Sequence, residues 1–573
     1  MEFIIDNLNF KVETENKIKN QSLTKVLDDE VCEYLLNVEF EETVSPKPYS
    51  LWWEEKQIDM IGFWSSKASL THNIRPDWDM RTEESRTASG MPLMSIYNKQ
   101  NTNRVTVALE DAATPTILQA GVVEENATVG FKITFFAQRC PEMSSYSTKI
   151  RFDRRNIPVT KSIASVKQWW GDETYIPDSA KMPMYSCWYS FHQHTIPDEI
   201  LEECKIAKLL GMNTVIVDDG WQTDDNSRGY AYCGDWKICE KKIPDMEKFV
   251  YDIHELGMKI MFWFSVPFVG IHSENYEKFK GKYLWHNKRS GASVLDIRFK
   301  EVREFLVNIY VDYVKKYGWD GLKLDFIDSF RLTEESSTDY ENMDTVSVEV
   351  ALERLLEEAT TKLKEINPDI LIEFRQSYVG PIVSKYGNLL RVTDCPNDAI
   401  LNRVHCLDLR LTSGKNAVHS DMIMWHKEDT NESVMYQLLA VMFGVPQISV
   451  RFDNITLEHK KLLKNFLAFW ISNRDVLLDG ELTVSNIDAN YTMAKSEKDG
   501  IGVAVLYQNV PLELENDVTY VFNSTGKDYI YLESNTERQY TIYDYFGTET
   551  VSGAVTQGVN KISVNNCYSV KIV

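Results

Sequence analysis

The stretch Gly321-Leu-Lys-Leu-Asp325 lies near the middle of the chain and follows a helical pattern. Its two-residue period is that of a β-strand, which directs the two leucines to one face and Lys323 and Asp325 to the other. A parallel strand that is buried on both faces is normally apolar throughout. The charged residues therefore indicate either a buried ion pair or a catalytic carboxylate at the end of a barrel strand, kept ionised by the lysine.

The region around this strand alternates between strand and helix patterns. Most of its eight apolar strand candidates are followed by a helical segment; they are Met184–Ser190, Thr214–Asp218, Lys259–Ser265, Gly321–Asp325, Ile370–Arg375, Leu389–Asp394, Ala417–Met424 and Gln447–Arg451. An open doubly wound sheet is the alternative, but no GxGxxG or Walker sequence favours it. The pattern predicts a (β/α)8 TIM barrel over residues 180–475.

Short alternating strands flank the predicted barrel on both sides. They predict an N-terminal β-sandwich over residues 1–175 and a small C-terminal antiparallel β-sandwich over residues 476–573. One long polar loop, Trp64–Pro92, interrupts the first of these patterns and contains Trp78. Long structured loops are often functional, although ordinary packing of these tryptophans is the alternative interpretation.

Composition excludes several classes of function. Lys and Arg total 62 against 85 Asp and Glu, a net charge of −23, which argues against nucleic acid and anionic membranes as partners. No apolar run is long enough to span a bilayer, and the first residues lack a secretory signal pattern. The nine cysteines have no metal-like spacing, so we expect reduced thiols in a cytoplasmic protein without metal or cofactor. Its oligomeric state is left open, with a homo-oligomer among the options.

The C-terminal strand ends of a TIM barrel carry its active site. Here they carry five carboxylates, three cations, a histidine and a tryptophan: Asp218, Asp219, Trp263, Lys323, Asp325, Arg375, Arg391, Asp394, His419 and Asp421. A single carboxylate at an open barrel mouth can be a solvated surface group, but several from different strands favour a site. Without a metal motif, a nucleotide loop or a Ser/Cys nucleophile arrangement, paired carboxylates indicate glycoside chemistry.

Glycoside chemistry of the retaining kind needs one ionised and one protonated carboxyl group. Lys323 would hold Asp325 ionised, which makes Asp325 the candidate nucleophile. Asp394 is the candidate acid, its proton favoured by proximity to other carboxylates. Glu373 lies deeper in the fifth strand, where an ion pair with Arg375 is the simpler interpretation, and we place neither in the site.

Three motifs carry a resemblance to a known family. Val217-Asp-Asp-Gly-Trp-Gln222, Gly234-Asp-Trp236 and Gly321-Leu-Lys-Leu-Asp-Phe326 resemble glycoside hydrolase family 36, the retaining α-galactosidases. Trp188 in Ser-Cys-Trp-Tyr-Ser-Phe and Trp263 in Phe-Trp-Phe also fit the first and third barrel strands of that family. The resemblance covers the whole barrel, and the flanking β-sandwiches fit it too.

The resemblance implies a small carbohydrate substrate and a double displacement that removes terminal non-reducing α-D-galactosyl residues from oligosaccharides. Asp325 would attack the anomeric carbon, and Asp394 would protonate the leaving oxygen and then activate water. The resemblance also implies that Asp218 and Asp219 bind the 4- and 6-hydroxyls, that Lys323 and Arg391 bind the other hydroxyls, and that tryptophans close over the ring, for which Trp78, Trp236 and Trp263 are the candidates. His419 and Asp421 are further candidate ligands from their strand-end positions, although a histidine between apolar residues is more often a satisfied core group.

The chain also departs from the family pattern. Phe-Ile-Asp follows Asp325 where many members have asparagine after Lys-x-Asp, and Ser265-Val-Pro-Phe268 replaces Glu-Pro-Glu. The segment Arg391–Asp398 matches only loosely, so Asp398 competes with Asp394 as acid/base. These differences indicate a compact, divergent member and leave alternatives: an α-N-acetylgalactosaminide or β-L-arabinopyranoside as substrate, transfer to a sugar, or a non-catalytic sugar-binding protein.

Overall fold

The computed structural model describes residues 2–171 and 174–573. Its N-terminal domain consists of two β-sheets, with the strands β1 (Glu2–Ile5), β2 (Leu8–Thr14), β3 (Ile18–Leu27), β4 (Val31–Val44), β5 (Tyr49–Lys56), β6 (Gly62–Ser65), β7 (Arg75–Pro76), β8 (Arg81–Ser85), β9 (Leu93–Tyr97), β10 (Asn103–Leu109), β11 (Thr116–Val123), β12 (Thr128–Phe135) and β13 (Met143–Asp153).

The two N-terminal sheets enclose an aromatic core. One has the order β1-β2-β5-β12-β11-β7, with β8 also on β11, and the other has the order β3-β4-β13-β10-β9-β6. Trp53 from the first sheet stacks on Phe131 with ring centroids 5.1 Å apart and meets Phe152 of the second sheet edge-on at 5.4 Å. Burying rings of this size supplies much of the stability of a sandwich.

Helix α1 (Val159–Trp170) leads from this domain into the barrel. The elements of the barrel region are β14 (Met184–Ser186), α2 (Trp188–Phe191), α3 (Pro197–Leu209), β15 (Thr214–Val217), α4 (Met246–Glu255), β16 (Lys259–Ser265), β17 (Phe268–Gly270), α5 (Glu274–Lys278), β18 (Tyr283–Asn287), β19 (Ala292–Leu295), α6 (Lys300–Tyr317), β20 (Gly321–Asp325), α7 (Val348–Ile366), β21 (Leu371–Arg375), β22 (Leu389–Arg391), α8 (Ala399–Thr412), β23 (Ala417–His419), α9 (Asn431–Ala440), β24 (Gln447–Ile448), α10 (Leu457–Ser472) and α11 (Arg474–Asp479).

Eight parallel strands form a nearly closed barrel, which confirms the predicted fold class. Their order is β23-β22-β21-β20-β16-β15-β14-β24. A parallel bridge between His419 and Val445 brings the chain before β24 beside β23 at the closure. A separate sheet, β17-β19-β18, is inserted after β16. Every residue of β20 is buried, so the charged residues of this strand lie inside the protein.

Gly321 shows why β20 begins with a glycine. A Cβ atom at this position would lie 2.6 Å from the carbonyl oxygen of Leu371 and 2.8 Å from Cγ of Met261. Leu371 and Met261 belong to the two strands that flank β20. A side chain here would therefore push apart the strands on either side, and its absence lets them pack closely.

The C-terminal domain is a second, smaller pair of sheets. Its strands are β25 (Glu481–Ser485), β26 (Met493–Lys498), β27 (Ile501–Leu506), β28 (Pro511–Leu514), β29 (Val518–Asn523), β30 (Tyr529–Ser534), β31 (Arg538–Tyr543), β32 (Glu549–Val555), β33 (Gly558–Ser563) and β34 (Ser569–Ile572). Most pair antiparallel, as predicted, but β27 pairs with β29 and β28 with β30 in parallel. Among the described helices, none is long and apolar enough to cross a membrane.

A buried carboxyl group joins all three domains. Trp64 on β6 donates from Nε1 to Oδ1 of Asp408 on α8 at 2.8 Å, and the hydroxyl of Tyr491 in the C-terminal domain donates to the same oxygen. Burial raises the pKa of Asp408 to about 7, although these two hydrogen bonds act in the opposite direction. The N-terminal domain is thereby fixed against the barrel helix that follows β22.

Candidate active site

Asp325 ends β20, and hydrogen-bond donors surround its carboxylate. Oδ1 accepts from Nε of Arg375 at 2.7 Å, from the hydroxyl of Tyr378 at 2.7 Å and from the backbone N–H of Phe326 at 2.8 Å. Oδ2 accepts from Nε1 of Trp263 at 3.1 Å. Since a carboxylate oxygen can accept about two hydrogen bonds, Oδ2 retains accepting capacity that Oδ1 lacks.

The electrostatic surroundings keep Asp325 ionised. Burial raises its pKa, but the positive charges of Arg375 and Lys323 and the hydrogen bond from Tyr378 outweigh burial and hold the pKa well below its usual range. A buried carboxylate can act as a nucleophile only in its ionised form, and Asp325 is held in that form at neutral pH.

Lys323 does not form the ion pair that the sequence suggested. Its Nζ lies 2.5 Å from Oδ2 of Asp218, and both side chains are buried. Because β16 lies between β15 and β20 in the sheet, this pair spans the inside of the barrel. Lys323 therefore lowers the pKa of Asp325 from a distance, while Arg375 forms the direct ion pair.

The Asp-Asp-Gly-Trp stretch forms a tight turn after β15. Gly220 has φ +115°, and a Cβ atom there would lie 2.5 Å from the carbonyl oxygen of Gln193. Asp219 accepts from Nε2 of Gln193 at 2.6 Å and from Nε2 of Gln222 at 2.7 Å, while burial raises its pKa to about 6. Trp221 donates from Nε1 to the backbone carbonyl of Trp263 at 2.8 Å. This turn thus positions Asp218 and Asp219. Through Trp221 it also holds β16, whose Trp263 contacts Asp325.

Arg391 is buried at the end of β22 and binds several carboxylates. Its Nη1 lies 2.8 Å from Oδ1 of Asp394 and 2.8 Å from Oδ1 of Asp421, and its Nε lies 3.4 Å from Oε1 of Glu373. The expected ion pair between Glu373 and Arg375 is therefore wrong, because each pairs with a residue from another strand.

Asp394 and Asp398 differ in what their carboxylates do. The side chain of Asp394 is 49% exposed. Burial and the charge of Asp325 raise its pKa, but Arg391, Lys323 and Arg375 outweigh them. The net pKa is therefore lowered, whereas the sequence predicted that neighbouring carboxylates would favour its proton. Asp398 accepts from the backbone N–H of Leu401 at 2.9 Å and so caps the first turn of α8. Of the two carboxylates, Asp394 is thus the one that does not cap a helix.

Of the three tryptophans expected over the sugar ring, Trp78 and Trp236 occupy other places. Trp78 lies in a turn that packs on β11 of the N-terminal domain, and it is 79% exposed. Trp236 is 2% exposed and packs against Trp221, Trp263 and Phe264. Trp263 is equally buried, at 2% exposed, and meets Trp236 edge-on with ring centroids 6.0 Å apart. Within this chain the structure does not bring Trp78 to the strand ends.

His419 and Asp421, predicted as further ligands, are fully buried. Nε2 of His419 lies 2.8 Å from the carbonyl oxygen of Ala180, and burial lowers its pKa to about 4. Asp421 accepts from the backbone N–H of Cys395 at 2.6 Å and from the hydroxyl of Tyr189 at 2.9 Å, in addition to its pair with Arg391. Both residues act as internal supports, which corrects their assignment as sugar ligands.

Three residues near Asp325 were not predicted from the sequence as part of the site. Arg375 and Tyr378 bind its carboxylate directly. Tyr230 stacks beside Trp263 with ring centroids 6.2 Å apart, and its pKa is raised by burial and by the charges of Asp219 and Asp325. Arg375 stood at a predicted strand end and was recognisable, whereas tyrosines in loops carry no sequence signal.

Comparison with known proteins shows what the barrel is related to. The family model described as Melibiase matches residues 183–380, which contain the Asp-Asp-Gly-Trp turn and Asp325. This segment is similar to a melibiase domain. An α-galactosidase of Lactobacillus acidophilus is 35% identical over 131 residues, which cover 21% of this chain and 16% of that protein. For an α-galactosidase of Escherichia coli the values are 25% identity over 162 residues, 25% of this chain and 22% of that protein. These matches therefore span less than a quarter of the relatives' length.

Solved structures extend the likeness beyond residues 183–380. The α-galactosidase from Lactobacillus brevis has a TM-score of 0.64 at 15% identity, covering 99% of this chain and 85% of its own. A family 36 α-galactosidase of Geobacillus stearothermophilus, solved in complex with raffinose, has a TM-score of 0.62 at 14% identity, covering 99% and 81%. The three-domain fold is shared, and the chain is α-galactosidase-like, as its motifs predicted.

Proposed function

We propose that this chain is a retaining glycoside hydrolase that removes terminal α-galactosyl residues from oligosaccharides. The observation that carries the proposal is the unequal hydrogen bonding of the two oxygens of the Asp325 carboxylate. Donors fill one oxygen and leave accepting capacity on the other, while Arg375 and Lys323 keep the group ionised. A group in this state is suited to attack an anomeric carbon.

Two further supports favour galactose as the sugar. The segment that is similar to a melibiase domain carries the acidic turn, and a structure of the same fold from Geobacillus stearothermophilus is described in complex with raffinose. We assign Asp218 and Asp219 to hydroxyls of the galactosyl ring. Lys323 would share this role, because its ammonium group is paired with Asp218 inside the barrel.

In the first step, Oδ2 of Asp325 attacks the anomeric carbon while Asp394 protonates the departing glycosidic oxygen. A glycosyl ester on Asp325 results. In the second step, Asp394 takes a proton from water, which attacks the same carbon and restores the free carboxylate with net retention. Burial and the charge of Asp325 raise the pKa of Asp394, although Arg391 and the other nearby cations lower it overall. Ester formation would remove that charge, lower the pKa and so favour the base role.

A panel of p-nitrophenyl glycosides tests the substrate. We expect turnover of the α-galactoside to exceed that of the α-N-acetylgalactosaminide and the β-L-arabinopyranoside. The absence of α-galactoside turnover would refute the proposal. Chromatography of products from raffinose separates hydrolysis from transfer to a second sugar.

The nucleophile has its own test. In Asp325→Gly, azide should restore turnover of p-nitrophenyl α-galactoside and yield the β-configured galactosyl azide, because azide enters from the face that the carboxylate occupied. An unchanged activity of Asp325→Gly would exclude Asp325 as nucleophile. A non-catalytic sugar-binding protein would instead bind galactose with no turnover in either form.

A further inference from the structure

One turn of the N-terminal domain contacts both barrel segments that present Asp325 and its hydrogen-bond donors. The turn spans residues 86–90: the backbone N–H of Arg86 donates to the carbonyl oxygen of Ser89 at 2.9 Å, and the N–H of Ser89 donates back to Arg86 at 2.9 Å. One of the two barrel segments follows β20 and begins directly after Asp325, and the other follows β21 and contains Tyr378. The 86–90 turn therefore connects the N-terminal domain to the candidate nucleophile.

The Arg86 guanidinium binds the segment that follows β20. The side chain of Arg86 is buried; its Nη1 donates to the carbonyl oxygen of Phe330 at 2.7 Å, and its Nη2 donates to the carbonyl oxygen of Asp328. Between these two carbonyl groups, that of Ser329 accepts from Nε1 of Trp285 at 3.0 Å. Three successive carbonyl groups are thus held by side chains from outside the segment.

The other end of the 86–90 turn binds the segment that follows β21. The backbone N–H of Gly90 donates to the carbonyl oxygen of Ser377 at 2.9 Å, and the side-chain oxygens of Ser89 and Ser377 lie 3.0 Å apart. Ser377 directly precedes Tyr378, whose hydroxyl donates to Asp325. The turn therefore binds next to both partners of this hydrogen bond.

The residue directly after Asp325 has an unfavourable backbone conformation. Phe326 has φ +64°, in the left-handed region that is uncommon for residues other than glycine. In this conformation its backbone N–H donates to Oδ1 of Asp325 at 2.8 Å. A strained residue keeps such a conformation only where the surrounding structure enforces it. Arg86 binds the carbonyl groups of Asp328 and Phe330 just beyond Phe326, and so restrains the chain at this point.

We propose that Arg86 is a positioning residue for the nucleophile, which makes the N-terminal domain part of the catalytic arrangement. This inference rests on the proposed function. Arg86 acts through the backbone: it fixes the segment after Phe326 and so keeps the N–H of that residue directed at Oδ1 of Asp325. Through its other end, the 86–90 turn fixes the segment that carries Tyr378. Loss of Arg86 would deprive two carbonyl groups of their donor and allow Phe326 to relax.

The test is a double-mutant cycle with p-nitrophenyl α-galactoside as the substrate. Where Asp325 is present it must be positioned to attack, so Arg86→Met should lower kcat/KM about tenfold or more, because misplacing a reacting group slows the reaction strongly. In Asp325→Gly, azide attacks instead of the carboxylate and is not attached to the chain. At one fixed azide concentration, Arg86→Met should therefore change kcat/KM in this background by less than about twofold.

Arg86→Lys is the second variant. Lysine keeps the positive charge but lacks the planar fork that donates to two carbonyl groups at once. It should show the same selective loss at a smaller magnitude, and it serves if Arg86→Met does not fold.

Arg139→Met is the matched control. Arg139 also belongs to the N-terminal domain, and its Nη1 donates to the carbonyl oxygen of Ser336 at 3.2 Å, later in the same segment between β20 and α7. Because this contact lies further along the chain from Asp325, Arg139→Met should keep kcat/KM within about twofold of wild type.

Equal losses for Arg86→Met with and without Asp325 would show a general structural role and overturn this inference alone. Values of kcat/KM within about twofold of wild type in both Arg86 variants would do the same. Azide that restores no turnover in Asp325→Gly would overturn the nucleophile assignment, and this inference with it. If wild type does not turn over the α-galactoside, the proposed function is overturned as well.

Discussion

Nε of Arg375 lies 2.7 Å from Oδ1 of Asp325, whereas Lys323, two residues before that aspartate, is paired with Asp218. The ionised state of Asp325 is therefore maintained by a direct ion pair from the neighbouring strand, while Lys323 of its own strand contributes only from a distance. Rings of Phe326 and Tyr378 each lie 5.3 Å from the guanidinium carbon of Arg375. These contacts fix the plane of the guanidinium and hence the direction of its hydrogen bond.

We predict that Arg375→Met moves the acid limb of the kcat/KM profile to higher pH. Loss of the cation raises the pKa of Asp325, so more of the carboxylate is protonated and inactive in acid. An opposite charge at this distance is worth about 1–3 pKa units. The measurement is kcat/KM for the α-galactoside against pH, which reports groups of the free enzyme. Arg354→Met, at an exposed pair with Asp344, is the control. An acid limb that stays at its wild-type pH would contradict this account.

We predict opposite results for alanine at Asp394 and at Asp398. Asp394→Ala should lower kcat/KM for melibiose by about 10²–10⁴ and affect p-nitrophenyl α-galactoside less, because nitrophenolate leaves without a proton. Azide should then give the α-configured product. Asp398→Ala should remove a helix cap, lower the free energy of unfolding by about 1 kcal/mol and slow both substrates equally. The reverse pattern would assign the acid/base role to Asp398.

We predict that Asp408→Asn changes how stability depends on pH. The pKa of Asp408 is raised to about 7 in the folded chain, against about 3.9 when unfolded. Its contribution to folding is complete below the unfolded value and is lost as pH rises through the folded value. Asparagine does not ionise, so the Tm of wild type relative to Asp408→Asn should fall between about pH 5 and about pH 8. An equal Tm difference between wild type and Asp408→Asn at these two pH values would show that Asp408 does not titrate in this range.

The barrel and the place of Asp325 could be predicted because both depend on short-range pattern. The strand period put Lys323 and Asp325 on the inner face, and the positions of strand ends collected the charged residues at one rim. The predictions that were wrong concerned ion-pair partners that lie far apart in the sequence. Register places Lys323 opposite Trp263 and Glu373 in the flanking strands, and nothing in one strand indicates which carboxylate its lysine will reach.

The errors at His419 and Trp236 have a different cause. His419 was expected at an open mouth, but the segment around Ala180 packs over this part of the barrel and takes its hydrogen bond. Trp236 was predicted from its motif, yet its neighbours Trp221 and Phe264 enclose it. Burial of a strand end or of an aromatic ring is decided by tertiary packing, which the alternation of residue types along one element does not reveal.

The two oxygens of a free carboxylate are chemically equivalent, and the surroundings of Asp325 remove that equivalence before any sugar binds. A bond from Oδ1 to carbon would disrupt the hydrogen bonds from Arg375, Tyr378 and a backbone amide, whereas a bond from Oδ2 would disrupt the one from Trp263. In the proposed mechanism, these hydrogen bonds would select which oxygen reacts and would keep the carboxylate plane from rotating. The same fixed plane would receive the sugar and release it, so both halves of the reaction would share one geometry.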